Sequence, residues 1–432
     1  MFKANLNRII SSGQELFTLE SVESNRILSS VDSRRFLELG KTLISIPSFK
    51  GEETPVANYI SKLLKDRGYQ IEMQEVEPGR YQTIATLKGT GGGKSLMFNG
   101  HIDINPLADG WERDPWSPTI EGDRLYGAGS RNMKGGVTAM IEAAEAIRCS
   151  QVKLKGDLIV ACVVGELQGG EGTHHLCQNG PIPDMAIVPE PFGANNIVTC
   201  HAGSAEMAIH TLGRARHMNR MEDSIDAIEK MVKVIKTIKD IKFNVSPRQD
   251  LPGLPRLNVG NIIGGVGRDY NRTEATYIAD VCTIVIDVRF PPGGTADAIK
   301  ADIVKALDQL SAHDPDLKYE IEMPPPKKYN CFTLIVEPFD LPKDEYILES
   351  VLNSYRSVTG HEPEGVGTVL PWSYSCDDTS KLHKAGIPCL LHGPAGGIHS
   401  STIPDEYTVI SDIGQVAKVL ALSALDVCNL AK

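Results

Sequence analysis

Three nearly continuous apolar runs in this chain each end in polar residues, and that pattern limits the fold more than any other feature. SLMFNGHID ends on His101 and Asp103, DLIVACVVGE on Glu166, and DMAIVPEP leads into Glu190. Runs that are apolar without alternation read as strands buried on both faces. Between the first two lies GGVTAMIEAAEAI, whose spacing predicts a helix. Strands that alternate with helices imply an α/β fold, here a largely parallel central sheet covered by helices. Such sheets place function at the carboxyl ends of their strands, so His101, Asp103, Glu166 and Glu190 are expected to share one site.

The rest of the chain divides around that sheet. Residues 33–67 have helical spacing, residues 69–86 alternate as a strand, and the glycines of GTGGGK form a tight turn. Neither GTGGGK nor GELQGGEG has the spacing of a P-loop or a dinucleotide-binding turn. From Ala205 the texture changes to a strand (AEMAIHTLG), a long helix (SIDAIEKMVKVIKTI), strands near 257–263 and 280–289, and a helix from Ala296. The proline-rich EMPPPKKYN marks the return, followed by a helix over 344–359 and the strand IPCLLHG. A chain of 432 residues exceeds one ordinary core. The expected division is a catalytic domain over 1–203 and 328–432, with 1–32 as an N-terminal extension, and an inserted, smaller α+β lid or dimerisation domain over 204–327.

Charge and cysteine usage narrow the partners. A net charge of -11 with no basic stripe argues against nucleic acid. No run of about 20 apolar residues is present, and the N-terminus lacks an apolar stretch of signal-peptide length, so the expectation is no membrane partner and a cytoplasmic protein. Nine cysteines, an odd number with no CxxC pair, argue against a disulfide framework or a thiolate zinc site. Cys376, beside Asp377 and Asp378, reads as a buried thiol rather than a nucleophile.

A divalent transition metal needs imidazole and carboxylate ligands, with outer carboxylates that fix the imidazole tautomer. GHID offers His101 with Asp103 two residues on, and VPEP offers Glu190. Alone, the histidine reads as an ordinary hydrogen-bonded polar residue and the glutamate as a solvated loop acid. Their shared place at strand ends is what singles them out.

Seven motifs stand in order between about residues 36 and 419: NGHID, RLYGAGSRNMKGG, VVGELQGGEGT, VPEP, GRARHMNRMEDSIDAI, DVRFPPG and GPAGGIHSSTIPDEY. With them the chain resembles the aminoacylase, succinyl-diaminopimelate desuccinylase and glutamate carboxypeptidase group of cocatalytic metallohydrolases. The resemblance implies that His101 and Glu190 ligate one metal and that Asp103 orients His101. It makes Glu166 the general acid and base, and His399 a ligand of a second metal. His217 falls on a lid histidine that reaches a neighbouring subunit's site. Arg289 falls on an arginine used for substrate carboxylates, and Asp378 on an aspartate near the substrate.

Two positions depart from the family pattern. Asn132 stands where an aspartate bridging both metals is usual, and Leu167 where a glutamate ligand follows the base. An amide oxygen is a weaker ligand than a carboxylate, and leucine cannot ligate. The cofactor expected is therefore one divalent transition metal, Mn2+ or Zn2+, held weakly by His101 and Glu190 with Asn132 nearby.

The activity expected is hydrolysis of a C-N bond in a small anionic substrate, with water activated between that metal and Glu166. Leu167 adds an apolar wall that suits a flat aromatic acid, which favours an aryl aminohydrolase converting a nitroanthranilate-like amine to a phenol. The alternative is a conventional amidohydrolase or carboxypeptidase acting on N-acyl or N-carbamoyl amino acids or dipeptides. An alternative of another class is a catalytically silent binding or assembly protein. A homo-oligomer, at least a dimer through the lid, is expected.

Overall fold

The computed structural model describes residues 22–270, 274–395 and 404–432. Its main sheet has eight strands, in the spatial order Gln70–Glu77, Arg80–Leu87, Leu158–Val163, Leu96–His101, Met185–Val188, Cys389–Leu391, Asn196–Val198 and Gly365–Gly367. The centre is parallel: Leu96–His101 runs parallel to Leu158–Val163 and to Met185–Val188, and Met185–Val188 parallel to Cys389–Leu391. Gln70–Glu77 and Arg80–Leu87 form an antiparallel edge hairpin. The single strand expected over 69–86 is therefore two, because Gly79, at φ +78°, turns the chain back.

The helical reading of 33–67 also divides. Ser33–Ser45 and Thr54–Asp66 are separate helices, since Pro47 cannot continue the first and Pro55 sits in the first turn of the second. Gly135–Ser150, buried along most of its length, packs against Ile410–Asn429 over the sheet. The three central strands are buried at every residue, which explains their unbroken apolar sequence.

A second sheet of four antiparallel strands runs Arg256–Gly265, Val281–Phe290, Gly203–Leu212, Lys318–Glu322. Helices Ala227–Lys239 and Ala296–His313 bury their apolar faces against it in a core of its own, with Met231, Val234, Ile299 and Ile303 at its centre. Both helices start on side-chain caps, Asp226 accepting from the backbone N–H of Ile228 and Glu229, and Thr295 from that of Ala298. Among the described residues no helix is long and apolar enough to cross a membrane. All nine cysteines are free thiols.

One buried cation links the edge hairpin to the loop beyond strand Leu158–Val163. The Arg80 side chain, 4% exposed, pairs with Glu53, Glu77 and Glu171 and donates to Gln168. Removing one member of such a cluster leaves buried charge unpaired, which costs about 3–5 kcal/mol. Arg80→Met should therefore lower the urea midpoint by that equivalent. A variant with unchanged stability would show that Glu53 and Glu171 relax into solvent instead.

Candidate active site

Parallel pairing sets His101 opposite Val163, so two chain segments leave the sheet side by side at the same end. The first carries His101 and Asp103. The second turns sharply at Gly165, φ +70°, and presents Glu166 and Leu167. A side chain at residue 165 would meet the Arg80 guanidinium at 2.8 Å, so both the turn and the close approach require glycine. Asp103, fully buried, accepts from the backbone N–H of Glu166 at 3.2 Å and of Leu167 at 2.9 Å.

His101 is the centre of the cluster. Its Nδ1 lies 2.9 Å from the Asp103 main-chain carbonyl and 3.4 Å from the Asp103 carboxylate. Its Nε2 faces three oxygens: Asn132 Oδ1 at 2.9 Å, Glu190 Oε1 at 3.5 Å and Glu166 Oε2 at 3.8 Å. Asn132 reaches this position because the backbone leaves helical geometry there, at φ -117° and ψ 100°, just before helix Gly135–Ser150.

Burial and like charge dominate the electrostatics. Burial raises Glu166 well above the usual carboxylate range, with Glu190, Asp378 and Asp103 adding to it against His101. Burial likewise pushes Glu190 up to about 8 and Asp378 up to about 7. Burial works to lower His101, but the charges of Asp103, Glu190 and Glu166 outweigh it and hold the imidazole well above its ordinary value. The cluster holds more negative than positive groups, and it favours whatever cation or proton enters it.

The residues present fit a metal ion in part. Glu190 Oε1 is buried with no hydrogen-bond partner, and both ring nitrogens of His101 face acceptors, an arrangement a cation beside Nε2 would satisfy. Among the described residues no group of three or more His, Cys, Asp and Glu side chains is arranged to hold a metal ion. His101 and Glu190 offer two such donors, and Asn132 a neutral third.

A cleft of about 620 Å³ opens onto this cluster, lined by Glu166, Leu167, Glu190 and Arg289 among others. Arg289 donates to Asp287 at 2.7 Å and to the Cys376 sulfur at 2.9 Å. Burial pushes the Cys376 thiol up to about 12, which keeps it protonated and fits its reading as a buried thiol. Asp378 does not line the cleft; it is buried at the N-terminus of helix Thr379–Lys384, and its charge acts on Glu166 and Glu190. His217 is exposed, edge-on to Tyr277 at 5.5 Å, and does not line the cleft of its own chain. His399 lies outside the described residues. Among the cleft residues that the sequence reading did not single out are Arg131, Phe192 and Trp372. The first two stand next to quoted motif residues, but nothing local marks Trp372.

Comparison with known proteins places the sequence and the fold. The sequence model of peptidase family M20/M25/M40 matches residues 97–426. The N-formyl-4-amino-5-aminomethyl-2-methylpyrimidine deformylase of Bacillus subtilis (strain 168) is 28% identical, covering 97% of this chain and 99% of its own length. The acetylornithine deacetylase of Photorhabdus laumondii subsp. laumondii is 27% identical, covering 89% and 95%. Among solved structures, the dipeptidase Dug1p of Saccharomyces cerevisiae superposes with a TM-score of 0.76 at 15% identity, covering 94% of this chain and 98% of that one. A dinuclear metal-binding peptidase of Bacillus subtilis matches with a TM-score of 0.63 at 14% identity, covering 92% and 99%.

Asp103 offers a test of how the imidazole is held. Asp103→Asn keeps the shape but cannot accept from two backbone N–H groups, and loss of such an outer carboxylate lowers metal affinity by about 10–100-fold. Titration of the variant with Mn2+ or Zn2+ reads the effect. Unchanged affinity would assign the orientation of His101 to the residue 103 carbonyl alone.

Proposed function

We propose that this chain, which belongs to peptidase family M20/M25/M40, hydrolyses the amide bond of a small N-acylated, anionic substrate. As a member of that family it is a metal-dependent hydrolase of carbon–nitrogen bonds. The amide is the finer step. The observation that carries it is the Glu166 carboxylate, buried, raised by that burial, and facing the cleft beside His101 and Glu190. A base of that kind suits proton transfer to an amine leaving group.

The two relatives covered along nearly their whole length bear names that describe removal of formyl or acetyl from nitrogen. They support the amidohydrolase alternative over deamination of an aromatic ring. The pyrimidine in the first name is a flat ring, so a planar substrate stays compatible with acyl hydrolysis.

His101, Glu190 and Asn132 would hold one divalent metal, which when bound supplies Lewis acidity toward the acyl carbonyl and the attacking water. Glu166 takes the proton released by that water and returns it to the nitrogen as the C–N bond breaks, giving a carboxylic acid and an amine. Asp103 keeps Glu166 and His101 in register through the backbone bonds it accepts. Leu167 fills part of the cleft wall with an apolar side chain and keeps water from it. In an assembled dimer His217, exposed on the second sheet's side of the molecule, completes the cleft of a neighbouring subunit.

Two experiments test the reading. Glu166→Gln removes basicity at constant size, so turnover of N-formyl or N-acetyl substrates should fall by about 100-fold or more while elemental analysis still finds one metal per chain. Retained turnover would move proton transfer to another group. Mixing inactive Glu166→Gln and His217→Ala chains should regenerate some activity through hybrid sites. No recovery after demonstrated subunit exchange would confine His217 to its own chain.

A further inference from the structure

Arg131 is the residue whose situation the proposed chemistry leaves unexplained. It is 5% exposed and lines the cleft that holds Glu166 and Glu190. Its Nε has no hydrogen-bond partner, and among the described residues its guanidinium makes no ion pair within 4 Å. Burying any of a guanidinium's five donors without a partner is costly, since that donor loses its water. The nearby charges of Glu190 and Glu406 oppose the loss of its proton but bond to none of these donors.

The other cations of the cleft are engaged. Arg289 is held by Asp287, and the Lys50 ammonium donates to the main-chain oxygens of Asn330 at 3.1 Å and Leu167 at 3.4 Å. Arg131 differs from them in holding a buried N–H that no acceptor meets. It also has an aromatic neighbour. Its guanidinium carbon lies 5.4 Å from the centre of the Trp372 ring, and Trp372 stacks on Phe192 at 5.9 Å with an interplanar angle of 9°. Both rings line the same cleft.

We propose that Arg131 is the specificity-determining anchor for a substrate carboxylate, held as a two-point ion pair, with the planar group bearing that carboxylate lying against the Trp372–Phe192 wall. This assignment rests on the amide-hydrolase reading and names its substrate class: an N-acylated aromatic or heteroaromatic acid. A guanidinium fork matches a carboxylate in a way an ammonium does not. A carboxylate ligand would meet the unpaired Nε–H with one oxygen and a terminal N–H with the other, whereas a neutral amide brings one acceptor oxygen and no charge and binds less tightly.

Binding decides this without turnover. The metal-loaded protein is titrated calorimetrically with benzoate and with benzamide, a matched pair differing in charge. Benzoate should bind more tightly, and Arg131→Met should weaken benzoate by about 10–100-fold while benzamide changes little. Arg131→Lys, which keeps the charge but not the fork, should fall between, and it serves as the readout if the methionine variant does not fold. Trp372→Leu should weaken both probes alike. Equal loss of benzoate and benzamide in the Arg131 variants, or benzoate binding indifferent to them, would overturn the proposal.

The same variants separate this inference from the function it rests on. With N-formyl-2-aminobenzoate and N-formyl-2-aminobenzamide, the preference for the acid should collapse in Arg131→Met through KM rather than kcat. A loss in kcat alone would place Arg131 on the reacting carbonyl and overturn the anchoring role. If neither compound is hydrolysed, the amide reading fails for these substrates, and the benzoate titration still decides Arg131.

Discussion

The site depends on one buried carboxylate. Asp103 is inaccessible to solvent, and its two oxygens accept the backbone N–H groups that begin the turn after strand Leu158–Val163. The same residue offers its main-chain carbonyl to His101. A single residue thus fixes the imidazole on one strand end relative to Glu166 on the next. That is possible because the strands are parallel and in register, with His101 opposite Val163, so both loops emerge together. Burial alone would push Asp103 toward its protonated form, but His101 and the backbone N–H groups of Leu167 and of Asp103 itself hold it lowered, and so charged.

Arg80 extends this constraint outward. It reaches Gln168 and Glu171, the residues that follow the Glu166 turn, and ties them to Glu53 and the edge hairpin. The turn is therefore held from inside by Asp103 and from outside by Arg80, which leaves its left-handed glycines little freedom to wander. Stability and site geometry are coupled at this point. The cleft face is assembled from segments far apart in sequence, as with Glu190, Arg289 and Trp372.

The site was legible where chemistry coincides with strand ends. His101, Glu166 and Glu190 announce themselves as polar residues closing apolar runs, and the structure brings all three within 4 Å of one nitrogen or at that nitrogen. The sequence was less informative where a turn or a tertiary contact decides. Pro47 and Gly79 split a predicted helix and a predicted strand in two, each acting through a backbone restriction that apolar spacing does not report. Asp378 is buried at the N-terminus of helix Thr379–Lys384, a placement that tertiary packing decides and apolar spacing does not report. Arg131 stands inside the motif RLYGAGSRNMKGG, yet nothing in the sequence singles it out. Its burial comes from the non-helical backbone at Asn132 and from Trp372, more than two hundred residues away.

Charge at the cleft gives these details a common sense. Against the family pattern that the motifs resemble, Asn132 and Leu167 each stand in place of a carboxylate, and the residue between Ser130 and Asn132 is an arginine. The two departures the resemblance implies remove negative charge from the wall in which Arg131 is buried. A wall altered in this way attracts a second metal cation less and an anionic ligand more, since the guanidinium can meet a carboxylate only where no cation competes for it. The buried acids that remain, Glu166, Glu190 and Asp378, lie on the His101 side, where a proton or one metal can balance them. The cleft thus has a cation-seeking side and an anion-seeking side. A substrate lying across it would present its acyl carbonyl to the first and its carboxylate to the second.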